Sequence, residues 1–168
     1  IKGETNKGIG AARNILLDNC TTPFAFWLDS DDTCYPSRVE EQIKEATDGC
    51  IIFTDWQWLK FNEAKQCWKA CPKPHKDFAF ATIMFYVDKT IRFDETKIAG
   101  EDWDWIARMK KRYKTKGVKQ ILYLVRYHDD RIGAWKGKLR ATFSELELKT
   151  IPYGELLQRY KEQYYNGN

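Results

Sequence analysis

Apolar side chains recur along this chain with two periods, one typical of helices and one typical of strands. Helical spacing covers residues 9–19, 37–46, 101–113 and 155–165, and extended apolar runs cover residues 24–28, 50–54, 78–87 and 118–127. Residues 56–61 are predicted as an outer strand or hairpin, and the polar residues 64–77 as a surface loop. Because helices and strands alternate, the pattern predicts an α/β fold with a mostly parallel sheet flanked by helices.

The same spacing predicts which face of each helix is buried. Apolar residues three or four positions apart lie on one side of a helix, and that side is expected to pack on the sheet. The residues predicted to point inward are Ile9, Ala12 and Leu16 in the first helix, Val39, Ile43 and Ala46 in the second, and Trp105, Ile106 and Met109 in the third. The apolar run of residues 24–28 is expected to be a buried strand.

Three carboxylates stand where the first predicted strand ends, in Asp29-Ser30-Asp31-Asp32. Ligands of open α/β sheets bind at the carboxyl ends of the strands. Crowded carboxylates repel one another unless a cation lies between them, so the motif predicts a site for Mg²⁺ or Mn²⁺ and, through the metal, for a phosphate. The alternative is structural, in which one aspartate caps the following helix and the others are solvated turn residues.

Two further polar clusters follow later in the chain. Glu101 and Asp102 open the third predicted helix, where either they only stabilise the helix dipole or one of them serves as a general base. His128 follows the last predicted strand and is either a metal ligand or a surface residue. A single histidine after a strand is usually a surface residue, but its position matches that of the aspartates, so both interpretations stay open.

Composition limits the class of protein. With 168 residues, 43% of them hydrophobic, the chain is long enough for one folded domain over residues 1–168, with residues 136–168 as a C-terminal helical extension. A net charge of +4, with acids and bases interspersed, is too mild to predict a nucleic-acid partner. The basic cluster within residues 110–116 is interpreted as a solvated helix end, and peripheral contact with a membrane is the alternative.

The five cysteines are an odd set, Cys20, Cys34, Cys50, Cys67 and Cys71. Cys20 and Cys50 lie in or beside apolar segments, as reduced core cysteines do. The set does not resemble a secreted disulfide framework, so the sequence predicts a reducing, cytoplasmic compartment. Cys67, Cys71 and His75 are spaced by four residues without an evident fourth ligand, so whether they bind zinc stays open.

Six short motifs follow one another along the chain. They are Asn6-Lys7-Gly8, Ala12-Arg13-Asn14, Asp29-Ser30-Asp31-Asp32 with Pro36, Phe93-Asp94-Glu95, Glu101-Asp102-Trp103-Asp104 with Arg108, and Val125-Arg126-Tyr127-His128. Their order resembles that of the family 2 glycosyltransferases, which have the GT-A fold. In that family two strand–helix units precede the Asn-x-Gly motif, and they have no counterpart here. The resemblance therefore implies an N-terminally truncated domain, or one that a partner chain completes.

The resemblance also implies where the donor and its metal bind. The implied donor-binding residues are Asn6, Arg13, Asp29, Asp31 and Asp32. Among them Asp29 would contact the nucleoside. Asp31 would bind Mn²⁺ or Mg²⁺ beside the diphosphate, with His128 as a further metal ligand.

On the acceptor side the resemblance implies that Asp102 is the catalytic base. It would take the proton of an acceptor hydroxyl, which then attacks the anomeric carbon of a nucleotide sugar, a UDP-sugar in the first instance, with inversion. Glu101 would orient the acceptor or its loop, and Trp103 and Arg131 would contact the acceptor. The implied partners are the nucleotide sugar and a glycan, lipid-linked or protein acceptor, met in the cytoplasm or at a membrane surface.

Three other interpretations remain open at the level of the sequence. A non-catalytic remnant that binds carbohydrate or protein would explain the seven tryptophans and nine tyrosines, which suit stacking on sugars. A nucleotidyltransferase on a similar fold would also use carboxylates after a strand, but its Gly-rich phosphate loop is not found in the sequence. A metal-dependent phosphatase or nuclease explains Asp29–Asp32 but not Glu101 and Asp102.

Overall fold

A computed structural model describes residues 7–47, 49–76, 78–97, 100–127, 144–151, 155–156, 158–159 and 162. Its helices are α1 (Ile9–Asn19), α2 (Arg38–Lys44), α3 (Glu101–Arg112) and α4 (Glu145–Thr150). Its strands are β1 (Phe24–Phe26), β2 (Thr33–Cys34), β3 (Cys50–Asn62), β4 (Cys67–Ala70), β5 (Met84–Tyr86) and β6 (Lys114–Tyr127). The predicted helix over residues 155–165 falls largely outside the described residues. None of the described helices is long and apolar enough to cross a membrane.

The chain divides into two compact units. The first contains the described residues of Ile1–Asn19, Arg92–Trp105 and Asp129–Asn168. The second contains the described residues of Cys20–Ile91 and Ile106–His128, and with them all six described strands. Helix α1 and the first turn of α3 therefore belong to the first unit, and the sheet belongs to the second.

The sheet is built around the long strands β3 and β6. Its order is β1-β5-β3-β6-β2, and β4 pairs with the C-terminal end of β3. β3 and β6 are parallel from Cys50 opposite Lys114 to Lys60 opposite Tyr127, with register shifts on both sides of Asp55 that mark a bulge. The hydrophobic core between these strands and α2 is formed by Cys50, Ile52, Met84, Val118 and Leu122, with Ala46 packed against it.

The α/β class is confirmed, and the strand pairing differs from the mostly parallel sheet that was predicted. Among the described strands, β3 and β6 pair in parallel and the four other pairs are antiparallel. β1, α2 and β3 form the expected crossover between strands of the same direction. β5 then lies between β1 and β3 and runs in the opposite direction. The prediction missed this direction because hydrophobic spacing identifies a strand without fixing its direction.

The first three predicted strands also differ from the observed strands in length. β1 ends at Phe26, and Leu28 is 47% exposed, so the prediction of a buried strand is wrong. Among the described strands β1 has β5 as its single neighbour, and an edge position leaves side chains open. β3 continues through the residues predicted as a separate outer strand, and β4 forms a hairpin with it inside the predicted loop. Residues 78–87, predicted as one strand, contain a 3₁₀ turn and the short β5.

Helices α1 and α2 form where they were predicted, but the faces that they bury contain polar residues. The buried residues are Gly10, Ala11, Arg13, Asn14 and Leu17 in α1, and Arg38 and Gln42 in α2. Leu16, Val39 and Ile43 were predicted to point inward and are 49%, 42% and 47% exposed. The prediction of these faces is wrong because the buried polar side chains have hydrogen-bond partners, which apolar spacing does not reveal. In α3 the prediction that Trp105, Ile106 and Met109 point inward is confirmed.

Candidate functional site

The aspartate turn, residues Asp29–Asp32, joins β1 to β2 and is attached to β6. A hydrogen bond from the Asp32 backbone nitrogen to the Asp29 carbonyl, 3.1 Å long, closes it. The hydroxyl of Tyr123 donates to Asp32 Oδ2 at 2.8 Å and accepts from the Asp29 backbone nitrogen at 3.2 Å. The backbone nitrogen of Arg126 donates to Asp32 Oδ1 at 2.9 Å. Both oxygens of Asp32 are therefore used to hold the turn.

The environment of Asp32 shifts its acidity. Burial raises the pKa of its carboxyl group from 3.8 to about 6. The hydrogen bonds from Tyr123 and Arg126 oppose this shift, and the negative charges of Asp31 and Asp29 add to it. Above pH 6 Asp32 is therefore an anion held by two hydrogen-bond donors.

Asp29 and Asp31 are the carboxylates that the aspartate turn exposes to solvent. Mg²⁺ keeps several waters and binds through one or two carboxylates plus substrate phosphates, so it does not need a cage made only of protein ligands. The described residues contain no group of three or more His, Cys, Asp or Glu side chains that would form such a cage. Two exposed carboxylates on a fixed turn fit a hard divalent cation that a diphosphate helps to hold.

The ring of Tyr123 packs against the side chain of Arg38 from α2. The Arg38 side chain is fully buried, and its guanidinium lies 4.8 Å from the centre of the Tyr123 ring and 5.2 Å from that of Phe26. It donates to Gln42 Oε1 at 3.0 Å and to the carbonyl oxygen of Ala81 at 2.9 Å. Carbonyl acceptors and aromatic faces thus stabilise this buried cation.

In the first unit, a buried ion pair connects α1 to the start of α3. Arg13 Nη1 lies 3.0 Å from Glu101 Oε1, and the two residues are 8% and 1% exposed. The Arg13 guanidinium also lies over the ring of Phe93 at 5.4 Å, and that ring stacks on Trp105 at 4.8 Å. These contacts give Arg13 and Glu101 a structural role. Their predicted roles in donor binding and acceptor orientation stay predictions.

Asn14 ties α1 to the turn that contains Phe93 and Glu95. Its Nδ2 donates to the Phe93 carbonyl at 3.0 Å and to Glu95 Oε1 at 2.7 Å, and its Oδ1 accepts from the Phe93 backbone nitrogen at 2.8 Å. Gly10 approaches the same turn so closely that a Cβ there would lie 3.0 Å from the carbonyl oxygen of Asp94. The Ala-Arg-Asn and Phe-Asp-Glu motifs are therefore parts of one packed structure.

Asp102 is half-buried in the first turn of α3. Its Oδ1 accepts from the backbone nitrogen of Trp103 at 2.8 Å, and Oδ2 forms no hydrogen bond within the described chain. Gly100, immediately before α3, has φ +77°, a conformation that favours glycine. The carbonyl of Gly100 accepts a hydrogen bond from the Asp104 backbone nitrogen. Trp103 is 59% exposed. The helix start thus presents a carboxylate with one oxygen held by the backbone and the other without a hydrogen bond to the described residues, beside an exposed indole.

Three of the predicted site residues, Asn6, His128 and Arg131, lie outside the described residues, and their roles stay predictions.

Of the three residues considered as zinc ligands, His75 stacks on Trp56 with ring centroids 4.1 Å apart. Cys67, Cys71 and His75 do not form a metal-binding group in the described part of the chain. All five cysteines are free thiols, and of the two predicted in the core Cys50 is buried and Cys20 is half-exposed.

Two residues that hold the aspartate turn, Tyr123 and Arg38, are absent from the predicted site. The signal for Tyr123 is a tyrosine inside an otherwise apolar strand, because a buried hydroxyl needs a hydrogen-bond partner. The signal for Arg38 is its spacing of four from Gln42, which puts two long polar side chains on one face of α2. Neither signal names the partner.

Comparisons with known proteins identify the family of the chain. The sequence profile described as Glycosyl transferase family 2 matches residues 1–100. The chain belongs to this family of glycosyltransferases, which confirms the class predicted from the motifs.

Relatives and a solved structure extend the match. The chain is 26% identical over 170 residues to the "Uncharacterized glycosyltransferase MJ1057" of Methanocaldococcus jannaschii, covering 89% of this chain and 58% of that protein. It is 26% identical over 149 residues to the "Amylovoran biosynthesis glycosyltransferase AmsE" of Erwinia amylovora, covering 80% and 56%. The chain thus spans somewhat more than half the length of these two relatives. The crystal structure of S. aureus TarS 1-349 shares its fold with a TM-score of 0.57 at 15% identity, over 99% of this chain and 55% of that one.

Proposed function

We propose that the protein transfers a sugar from a nucleotide diphosphate, a UDP-sugar in the first instance, to an acceptor hydroxyl with inversion at the anomeric carbon. The observation that carries the proposal is the division of roles within the aspartate turn. Asp32 attaches the turn to β6 through Tyr123, while Asp29 and Asp31 remain exposed at a fixed position. Membership in Glycosyl transferase family 2 supports a sugar donor as the ligand of this turn.

On the donor side, Asp29 binds the nucleoside and Asp31 holds Mn²⁺ or Mg²⁺. When bound, the metal neutralises the charge that develops on the departing diphosphate. The rigidity of the turn matters because carboxylates fixed in advance need no reorganisation when the donor binds. Asp32, with both oxygens bonded to β6, supplies that rigidity.

On the acceptor side, Asp102 acts as the general base. Its Oδ1 is held by the backbone nitrogen of Trp103, so Oδ2 is the oxygen that takes the proton of the acceptor hydroxyl. The deprotonated oxygen forms a bond to the anomeric carbon, and the bond from that carbon to the diphosphate breaks with its electron pair on the leaving group. The exposed ring of Trp103 provides an apolar face against which the acceptor sugar packs.

The proposal is tested by product analysis. The complete protein is incubated with UDP- and GDP-sugars, Mn²⁺ and oligosaccharide acceptors, and released nucleoside diphosphate and the product are measured. We expect release with one donor class and, by NMR, an anomeric configuration in the product opposite to that of the donor. Retention of the donor configuration would contradict Asp102 as the base of a single displacement. Nucleotide binding without any transfer would favour a non-catalytic binding protein.

A further inference from the structure

The β3–β4 hairpin and the end of β6 form a surface of aromatic and basic side chains. Trp58 packs edge-on against Tyr127 with ring centroids 5.9 Å apart, and Lys60 Nζ lies 5.0 Å over the Tyr127 ring. Lys69 of β4 is directly opposite Lys60 in the antiparallel register. Paired residues of neighbouring strands share a face of the sheet, so these four side chains lie on one side. We call these four residues the Lys60–Lys69 surface.

The two lysines of this surface carry charge that the described chain does not neutralise. Both are exposed, and among the described residues no carboxylate forms an ion pair with either of them. Like charges directly opposite each other in a sheet are destabilising, and an anion between them relieves the repulsion. Residues 56–76, which contain the hairpin, have five lysines against one glutamate and no aspartate.

Strand β6 connects this surface to the aspartate turn. The Tyr123 hydroxyl and the Arg126 backbone nitrogen hold the turn, and Tyr127 is the next residue along β6. Trp56, which pairs with Tyr123, contacts Trp58 with ring centroids 5.1 Å apart. Trp56, Trp58 and Tyr127 therefore form a row of contacting rings within the second unit, which begins opposite Tyr123 on the neighbouring strand and ends at Lys60.

We propose that the Lys60–Lys69 surface binds an anionic carbohydrate chain, the acceptor of the transfer. Aromatic rings pack against the C–H faces of sugars, and lysine ammonium groups bind the acidic groups that such a chain carries. A lysine on an edge strand also prevents unwanted strand pairing, but this accounts for Lys69 on β4 and not for Lys60, which lies on the central strand β3. The assignment rests on the proposed sugar transfer and adds the chemical class of its acceptor.

Calorimetric titration of the complete protein tests the charge requirement. The probes are a galacturonic acid oligomer and a phosphorylated maltodextrin, each compared with its uncharged counterpart, the methyl ester or the unphosphorylated maltodextrin. We expect at least one acidic probe to bind about tenfold more tightly than its counterpart. The double variant Lys60→Gln/Lys69→Gln should lose about tenfold in that affinity. Lys111→Gln/Lys114→Gln, which removes the same charge from two other exposed lysines, should bind as the wild type does.

The aromatic part is tested by a matched pair of single variants. Tyr127→Ala should weaken binding of the acidic oligosaccharide, whereas Phe61→Ala, on the other face of β3 and 44% exposed against 40% for Tyr127, should not. Equal losses in the two lysine double variants would overturn the proposal. Polyglutamate binding as tightly as the oligosaccharides would also overturn it, because charge alone would then suffice.

A nucleotide titration on the same preparation separates this proposal from the proposed function. If a nucleotide binds and neither acidic probe does, the proposed role of the Lys60–Lys69 surface is wrong, while the proposed sugar transfer is not contradicted. If an acidic probe binds in a way that depends on Lys60 and Lys69, and no nucleotide binds, the Lys60–Lys69 surface is supported as a carbohydrate-binding surface. The proposed sugar transfer is then contradicted.

Discussion

The hydroxyl of Tyr123 donates to Asp32 Oδ2 at 2.8 Å, and the Tyr123 hydroxyl oxygen accepts from the Asp29 backbone nitrogen at 3.2 Å. One side chain of β6 therefore fixes both ends of the aspartate turn. The buried guanidinium of Arg38 packs on the Tyr123 ring and fixes it in turn. In the proposed mechanism these residues touch no substrate, and they act by holding Asp29 and Asp31 in place.

Tyr123→Phe keeps the ring and its packing on Arg38 but removes the hydroxyl. We expect the affinity for nucleotide in the presence of Mn²⁺ to fall by about 10- to 100-fold, as is usual when a residue that orients a metal ligand is changed. The measurement is calorimetric titration, with circular dichroism to confirm the fold. Tyr113→Phe is the matched control, because it loses a hydroxyl–carboxylate bond of the same 2.8 Å length, to Asp88. Equal affinities in both variants would contradict the role given to Tyr123.

The Asp32 carboxyl should titrate well above the ordinary aspartate range. Its pKa is raised by burial to about 6, against 3.8 for an unperturbed group. The folded protein therefore binds more protons than the unfolded chain between these values, and the contribution of Asp32 to stability falls as the pH rises through that window. The carboxyl carbon resonance of Asp32, followed by NMR, should have its midpoint near pH 6. A midpoint near 4 would show that burial does not outweigh the hydrogen bonds from Tyr123 and Arg126, which lower the pKa.

Breaking the buried pair of Arg13 and Glu101 should cost more stability than breaking an exposed ion pair. Arg13→Met leaves the Glu101 charge without its partner in a buried position, and we expect a loss of about 3–5 kcal/mol in the free energy of unfolding by urea. Combining it with Glu101→Leu should restore much of that loss, because no charge is then left buried. Arg92→Met, which breaks an exposed pair with Asp18, should cost about 1 kcal/mol or less. Equal costs for the two arginines would contradict the burial of the pair.

Asp102→Asn should abolish transfer and leave donor binding nearly unchanged. The amide cannot accept the proton of the acceptor, so kcat should fall by about 10²- to 10⁴-fold while the nucleotide dissociation constant stays the same. Asp104→Asn is the control on the same helix turn, where the carboxylate lies 4.0 Å from Lys97. If Asp102→Asn weakened nucleotide binding as much as transfer, Asp102 would be a structural residue instead of the base.

Element positions and the family could be read from the sequence because they depend on local patterns. Helix α1 has the predicted bounds, Ile9–Asn19, and the inward face of α3 is as predicted. The family was predicted from six short motifs in a fixed order, and the match of the family profile over residues 1–100 confirms the family. The aspartate turn likewise lies where apolar residues give way to carboxylates.

The buried polar contacts could not be read, because each depends on a partner distant in sequence. Arg13 is buried against a residue 88 positions away, and Asn14 against one 79 positions away. A helical residue of this kind looks like a solvent-facing residue until its partner is known, so the faces of α1 and α2 were predicted wrongly. The division of roles among Asp29, Asp31 and Asp32 was hidden for the same reason, since Tyr123 lies 91 positions from Asp32.

In the proposed mechanism Asp31 holds the metal through which the donor diphosphate binds. This role is tested by calorimetric titration of UDP and GDP into the complete wild-type protein, Asp31→Ala and Ser30→Ala, each with Mn²⁺ and again with chelator. We expect one nucleotide to bind the wild type and Ser30→Ala more tightly with Mn²⁺, and to bind Asp31→Ala equally weakly in both conditions. A loss in Asp31→Ala that is as large in chelator as in Mn²⁺, or wild-type binding that ignores the metal, would contradict it.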